Sequence, residues 1–97
     1  MPHYFLKLIP CRPTFAFDMT DDERAIMQRH VVYLGGLMDK GKMVVYGPVM
    51  DPKGPYGMGV VEVENEYELS EIIKNDPAAS INVYEYYPMR AVTPANK

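Results

Sequence analysis

Apolar positions along the chain follow two different periods. In four short segments the types of residue and the alternation of apolar with other positions are typical of strands. In two longer segments apolar residues recur every three or four positions, as on one face of a helix. The pattern predicts strands at residues 3–9, 43–46, 58–63 and 82–87, and helices at residues 20–40 and 66–75. Residues 10–18 and 49–56 are rich in proline or other turn-forming residues and are predicted to be loops.

Both predicted helices carry signals at their ends. Thr20 with Glu23, and Asn65 with Glu68, have the spacing of helix N-caps, in which the first side chain accepts a hydrogen bond from the backbone three residues later. Asp76 precedes a proline, and the residue before a proline is pushed out of the helical region. The pattern therefore defines the rotation of each helix about its axis, and with it the face that each helix turns to the core.

The order strand, helix, strand, strand, helix, strand predicts an α+β fold. With right-handed crossovers it gives a ferredoxin-like βαββαβ plait, a four-stranded antiparallel sheet with two helices on one face. The first strand is apolar on both alternating faces, with Leu6 and Leu8 on one and Phe5 and Ile9 on the other. We therefore expect a second copy to cover the open face and form a homodimer, whether or not dimers assemble further.

Length and charge narrow the class of protein. The 97 residues suit one domain, predicted at residues 1–92 with a flexible tail at residues 93–97. A net charge of −3 without a basic run argues against nucleic-acid binding. No apolar stretch approaches the ~20 residues of a membrane span. The start of the chain lacks a signal-peptide pattern and Cys11 is the single cysteine, so we expect a cytoplasmic protein whose thiol is mostly buried at a strand end.

His30 occupies an apolar stripe of the first predicted helix. At about 100° per residue it falls between Ile26 and Leu34, which face the core. Such an imidazole is either a structural histidine bonded to the backbone or an acid–base group in a pocket, because it exchanges protons near neutral pH. The pattern alone leaves both interpretations open.

Asp76 also has two interpretations. It is either an ordinary helix stop or a carboxylate that orients an imidazole and stabilises its protonated form. The predicted fold lays the two helices side by side, but the sequence does not show that His30 and Asp76 touch.

Further candidates flank the long predicted loop or carry positive charge. Gly47, Pro48 and Gly57 belong either to a plain hairpin connection or to the rim of a small-molecule pocket, where glycine N–H groups face the substrate. Lys7 and Arg29 are the predicted partners for negative charge that develops during a reaction. With these five residues the sequence predicts a substrate-binding set around His30.

An ordered set of short motifs runs through the chain: His30 to Leu34 (HVVYL), Gly41 to Pro48 (GKMVVYGP), Gly57, Asp76-Pro77, and Val83 to Glu85 (VYE). The set resembles the YciI-like, or YCII-related domain, family from Tyr4 to about Val92. Tyr33 occupies the aromatic position of the first motif and joins the predicted substrate-binding residues. The chain departs from the family pattern at Gly35-Gly36 and in its last strand, which ends Tyr-Tyr-Pro-Met-Arg instead of the frequent Pro-Phe.

The resemblance implies a dimeric α+β barrel of ferredoxin-like subunits with a His–Asp pair, here His30 and Asp76. Relatives include a chloromuconolactone dehalogenase, and muconolactone isomerases share the broader superfamily. We predict an acid/base enzyme without metal or cofactor, acting on a small carbonyl, acid or lactone-like substrate as an isomerase, lyase or dehalogenase. The alternatives are a non-catalytic ligand-binding or accessory dimer and, third, a haem-binding barrel with His30 as the axial ligand.

Overall fold

The computed structural model describes residues 2–94. Its strands are β1 (His3–Ile9), β2 (Met43–Val49), β3 (Tyr56–Glu62) and β4 (Val83–Met89). Its helices are α1 (Phe15–Asp18), α2 (Asp21–Asp39) and α3 (Glu66–Lys74), and a 3₁₀ helix follows at Pro77–Ser80. The strands form one antiparallel sheet in the order β2-β3-β1-β4, which confirms the predicted ferredoxin-like plait.

The core lies between one face of the sheet and helices α2 and α3. Its members are buried aliphatic side chains and one methionine that come from both layers: Leu6, Leu34, Leu37, Met43, Val61, Val63, Leu69 and Ile72. Because direct cross-strand partners share a face, the pairing of Leu6 with Gly59 and of Leu8 with Tyr84 places all four residues on this helix side.

The opposite face of the sheet is not covered by any element within residues 2–94. Lys7 pairs with Met58 and with Glu85, and Phe5 pairs with Val60 and with Tyr87. The register therefore groups charged and apolar side chains on this open face.

Both predicted N-caps are present. The Thr20 hydroxyl accepts from the Glu23 backbone N–H at 3.1 Å, and the Glu23 carboxylate accepts from the Thr20 N–H at 2.9 Å, which completes a capping box. At the start of α3 the Asn65 side chain accepts from the Glu68 N–H at 2.9 Å. These contacts fix where each helix begins.

Strands β2 and β3 are longer than predicted. Gly47, Pro48 and Gly57 read as loop residues in the sequence, but Pro48 pairs with Gly57 inside the ladder and the connection shrinks to residues 50–55. A proline is tolerated here because β2 is an edge strand and the missing N–H breaks no bond to a further strand.

Residues 10–19 also differ from the predicted plain loop, and we call them the cover segment. They contain the short helix α1, whose Phe15 is buried. The prediction that Cys11 is mostly buried is wrong: its thiol is exposed in the turn that follows β1. Four helical residues shortly after Pro13 are too few to give a periodic signal.

Arg12 ties the cover segment to α2. Its guanidinium donates to both carboxylate oxygens of Glu23, at 2.9 and 2.8 Å, and to Asp18 at 2.8 Å. The Arg12 hydrogen bonds, with the capping contact to Thr20, lower the pKa of Glu23 to about 2. The same carboxylate therefore caps α2 and anchors the cover segment.

The structure leaves the domain boundaries as a prediction. Residues 93 and 94 have no regular secondary structure, and the rest of the predicted tail, residues 95–97, lies outside the described residues.

No helix in the described part of the chain is long and apolar enough to cross a membrane.

Candidate active site

The structure brings His30 and Asp76 into direct contact. His30 lies on the buried side of α2, and Asp76 follows α3, where it begins the 3₁₀ helix. The His30 Nδ1 lies 2.9 Å from Asp76 Oδ1 and 2.8 Å from Oδ2. Side-chain exposure is 10% for His30 and 1% for Asp76. The pair is thus shielded from bulk water, which strengthens its electrostatic interaction.

Asp76 is held by two further donors. The backbone N–H of Ala78 donates to Oδ1 at 2.9 Å, and the Tyr84 hydroxyl, from β4, donates to Oδ2. Burial and then the hydrogen bond to Asp76 raise the pKa of Tyr84 well above its usual value, so that the hydroxyl stays protonated and remains a donor.

Sequence reasoning missed Tyr84 as a site residue. Residues 84, 86 and 87 of the last strand are all tyrosines, and strand packing explains such a run. The alternation of side chains along the strand was the available signal, because it separates Tyr84 from Tyr87. In the structure Tyr84 pairs with Leu8 and therefore points to the helix side of the sheet.

Tyr33, predicted to bind substrate, lies where α2 contacts α3. Its hydroxyl donates to the backbone carbonyl of Ile72 at 2.7 Å and so links α2 to α3. Burial, followed by the nearby charge of Asp76, raises the pKa of this hydroxyl. Tyr33 therefore stands behind the His–Asp pair and is absent from the wall of the cavity described next.

A cavity of about 290 Å³ lies between α2, the helix side of the sheet and the cover segment. His30 and Tyr84 contribute to its wall, whereas Asp76 sits behind them. An ionised carboxylate only accepts hydrogen bonds, so the proton between His30 and Asp76 is assigned to Nδ1. No hydrogen bond to Nε2 is found among the described residues, and no fully buried side-chain nitrogen or oxygen there is left unpaired. Nε2 is therefore accessible and free to accept a proton.

Two glycines of β3 create part of this volume. A Cβ at Gly59 would lie 3.3 Å from the sulfur of Met43, and one at Gly57 would lie 3.4 Å from Cβ of Leu8. Both positions face the helices and both line the cavity. Side chains there would occupy the space that the backbone leaves open.

The remaining predicted binding residues fall into two groups. Gly47, Pro48 and Gly57 line the cavity. Lys7 lies over the ring of Tyr56, with Nζ 4.6 Å from the ring centroid, and is not among the lining residues. Arg29 borders a separate shallow depression on the outer surface of α2. The binding roles of all five remain predictions, but only the first three have the placement that such a role needs.

The site holds an imidazole with a positioned carboxylate partner and little else that is polar. Within residues 2–94 no three His, Cys, Asp or Glu side chains are arranged to hold a metal ion. Ala78 and Tyr84 hold the Asp76 carboxylate that orients the imidazole, and His30 lines a mainly apolar cavity.

Comparison with known proteins agrees with this architecture. The model of the YCII-related domain family matches residues 4–93. The chain belongs to this family. Among solved structures it is similar to 5-chloro-2-hydroxyhydroquinone dehydrochlorinase from Burkholderia phenoliruptrix, in complex with 2,5-dihydroxybenzoquinone, with 22% identity and a TM-score of 0.60. The alignment covers 96% of this chain and 97% of that one, and at this identity it shows the shared fold. No curated protein matches the chain.

Proposed function

We propose that this YCII-related protein is a small-molecule enzyme in which His30 is the general acid and base and Asp76 orients it. The observation that carries the proposal is the buried His30–Asp76 hydrogen bond at the wall of an open cavity. A structural histidine needs a partner for its ring, but it does not need an accessible second nitrogen beside an empty volume.

The proposed reaction begins with proton transfer from carbon. Nε2 of His30 takes a proton from a carbon next to a carbonyl, and the bonding electrons move to form an enolate. Asp76 stabilises the imidazolium that results, while Ala78 and Tyr84 keep the carboxylate in place. Return of the proton to a different carbon gives an isomerisation, and departure of a leaving group as an anion gives an elimination.

The structural neighbour supports the elimination branch. That protein is a dehydrochlorinase, and loss of HCl requires a base to remove a proton while chloride leaves. In this chain we propose His30 as that base, since it lines the cavity and is paired with Asp76. The substrate we propose for this chain remains the broader class of small carbonyl, acid or lactone-like compounds.

Deuterium exchange into carbon acids tests the proposal without knowledge of the natural substrate. We expect the protein to accelerate exchange in D₂O at the carbon next to the carbonyl in at least one member of a panel of cyclic ketones and lactones. A positioned base contributes about 10² to 10⁴ in rate, so His30→Ala should lose at least ~100-fold.

Gln28→Ala is the matched control, because Gln28 lies on the exposed side of the same helix. It should leave the exchange rate unchanged. Equal rates in the wild type and in His30→Ala would rule out His30 as the base.

The second candidate function is a non-catalytic ligand-binding or accessory module. The mainly apolar lining of the cavity favours it, because a binder needs no acid–base group. It predicts tight binding of a ring compound with no exchange in any panel member, and equal affinity in the wild type and in His30→Ala.

We also propose that the protein forms a homodimer through the open face of the sheet and works in the cytoplasm. Val45, Val83 and Tyr87 are 46%, 62% and 51% exposed on that face, an apolar surface that a soluble monomer would leave in water. Sedimentation at micromolar concentration should give twice the mass of the 11.1 kDa chain, and Val45→Glu should shift the population to monomer. A monomeric wild type would contradict this assembly.

A further inference from the structure

The cavity offers no fixed charge to a ligand. Among the described residues that line it there is no lysine, arginine, aspartate or glutamate, and its titratable side chains are His30 and three tyrosines. Arg12 in the cover segment is already bound to Glu23 and Asp18. A ligand that places two negative charges inside the cavity would therefore leave at least one of them without a partner, which is strongly unfavourable.

Asp76 adds a second restriction. Its buried carboxylate stands directly behind His30, so an anion that enters the cavity meets a negative charge unless the imidazole is protonated. A monoanion must therefore bind together with a proton on His30, whereas a neutral ligand needs none.

The size of the cavity suits one ring. An engineered apolar cavity of about 150 Å³ holds benzene, and this one measures about 290 Å³. The surplus accommodates substituents on that ring. The lining supports a ring as well, since Leu6, Phe15, Leu34 and Pro48 present apolar surface from both layers and from the cover segment.

Three polar groups at the wall lack partners in the described structure. One is Nε2 of His30. The other two are the hydroxyls of Tyr46 and Tyr56, lining residues for which no hydrogen bond is found among residues 2–94. Gly35 leaves the space beside the Tyr46 hydroxyl open, since a Cβ there would lie 3.6 Å from it. The ligand thus meets one acid–base group and two neutral hydroxyls.

We propose that the cavity binds a compound with a single apolar ring, either neutral or carrying one negative charge that faces His30, and that it rejects dicarboxylates and phosphate esters. The inference rests on the proposed function for the choice of site, and it adds the substrate class. It separates this protein from enzymes of the same fold that would need cationic side chains to hold charged metabolites.

Nuclear magnetic resonance of the two histidine rings tests the proposal directly. The chain has two histidines, His3 and His30, and His3→Gln assigns the signals. Phenol, benzoate, phthalate and succinate are the probes, because phthalate is benzoate with a second carboxylate on the same ring. We expect phenol and benzoate to shift the His30 signals saturably, and phthalate and succinate to bind at least about tenfold more weakly.

The pH dependence provides a second readout. Benzoate affinity should fall by up to about tenfold per pH unit above the pH at which His30 takes up its proton, and phenol affinity should stay constant until phenol itself ionises. The variant His30→Gln should still bind phenol, as measured by the rise in its melting temperature on adding phenol. Its affinity for benzoate should no longer depend on pH.

Several results would overturn the inference. Phthalate or succinate binding as tightly as benzoate would do so, and so would the absence of any His30 shift with both phenol and benzoate at millimolar concentration. Ring binding without deuterium exchange would overturn the proposed function and leave this inference standing. Deuterium exchange catalysed on a dicarboxylate would overturn this inference and leave the proposed function standing.

Discussion

Glu23 and Asp76 are two carboxylates that each accept hydrogen bonds from three donors, yet they serve different ends. Glu23 accepts from the Thr20 N–H and from two N–H groups of Arg12, and its side chain is 18% exposed. Asp76 accepts from His30, Ala78 and Tyr84, and its side chain is 1% exposed.

The difference lies in the charge of the donors. Arg12 is always protonated, so its pair with Glu23 is a constant ion pair that holds the cover segment on α2. An imidazole, unlike a guanidinium, can take up and release a proton, while the other two donors on Asp76 stay in place. Glu23 thus has only permanent donors and serves structure, whereas Asp76 has one donor whose charge can change, as the proposed proton transfer requires.

The largest expected effect on stability comes from removing the buried carboxylate. Asp76→Ala leaves the His30 N–H, the Ala78 N–H and the Tyr84 hydroxyl without an acceptor, and should lower the free energy of unfolding by about 3 kcal/mol. Urea denaturation measures it, with Glu23→Ala as the comparison. Equal losses in the two variants would show that burial does not separate these carboxylates.

A smaller effect should follow from loss of one donor. Tyr84→Phe removes a hydrogen bond to a charged group, and should cost about 1–2 kcal/mol. It also leaves more of the Asp76 charge to stabilise the imidazolium, so His30 should take up its proton at a higher pH, as followed by histidine ring signals.

Tyr33→Phe is the control for this variant, because its hydroxyl bonds to the Ile72 carbonyl and not to the carboxylate. It should cost about 1 kcal/mol and leave the titration of His30 unchanged. If both variants, or neither, shift that titration, Tyr84 has no special role in the pair.

The smallest effect at neutral pH is expected at Glu23. Its pKa is lowered from 4.5 to about 2, so its stabilisation is complete above pH 4.5 and disappears as the pH falls towards 2. Glu23→Gln should be less stable than the wild type at pH 7, and the gap should close between pH 4.5 and 2 in urea denaturation. Asp22→Asn, on the exposed first turn of α2, should show no such closing gap, and a constant gap for Glu23→Gln would contradict the ion-pair account.

The contrast between these carboxylates also shows what the sequence could predict. Thr20 and Glu23 are three residues apart, so a local rule predicted their contact correctly. Asp76 is 46 residues from His30, and no spacing rule covers that distance. The family resemblance supplied the pairing, and the order of the elements made it geometrically reasonable.

The errors have physical causes as well. Gly47, Pro48 and Gly57 are residue types that favour turns, but in the structure they lie within the edge strand β2 and its neighbour β3. Tyr84 was missed because its role depends on a hydroxyl contact across the fold and not on its position in the strand. Lys7 and Arg29 were chosen for charge; the structure places both away from the cavity, and their binding role stays a prediction.

Gly57 and Gly59 have a consequence for reading related sequences. Two helix-facing positions of β3 that line the cavity carry no side chain. A relative that keeps the histidine and the aspartate but has valine at these two positions would have a smaller binding space while retaining every polar group. Conversely, a single methyl group at Gly59 would retune which rings fit. The missing side chains of Gly57 and Gly59 therefore help to set the shape of the space that a ligand can occupy. A search for functional relatives should weigh these two glycines beside His30 and Asp76.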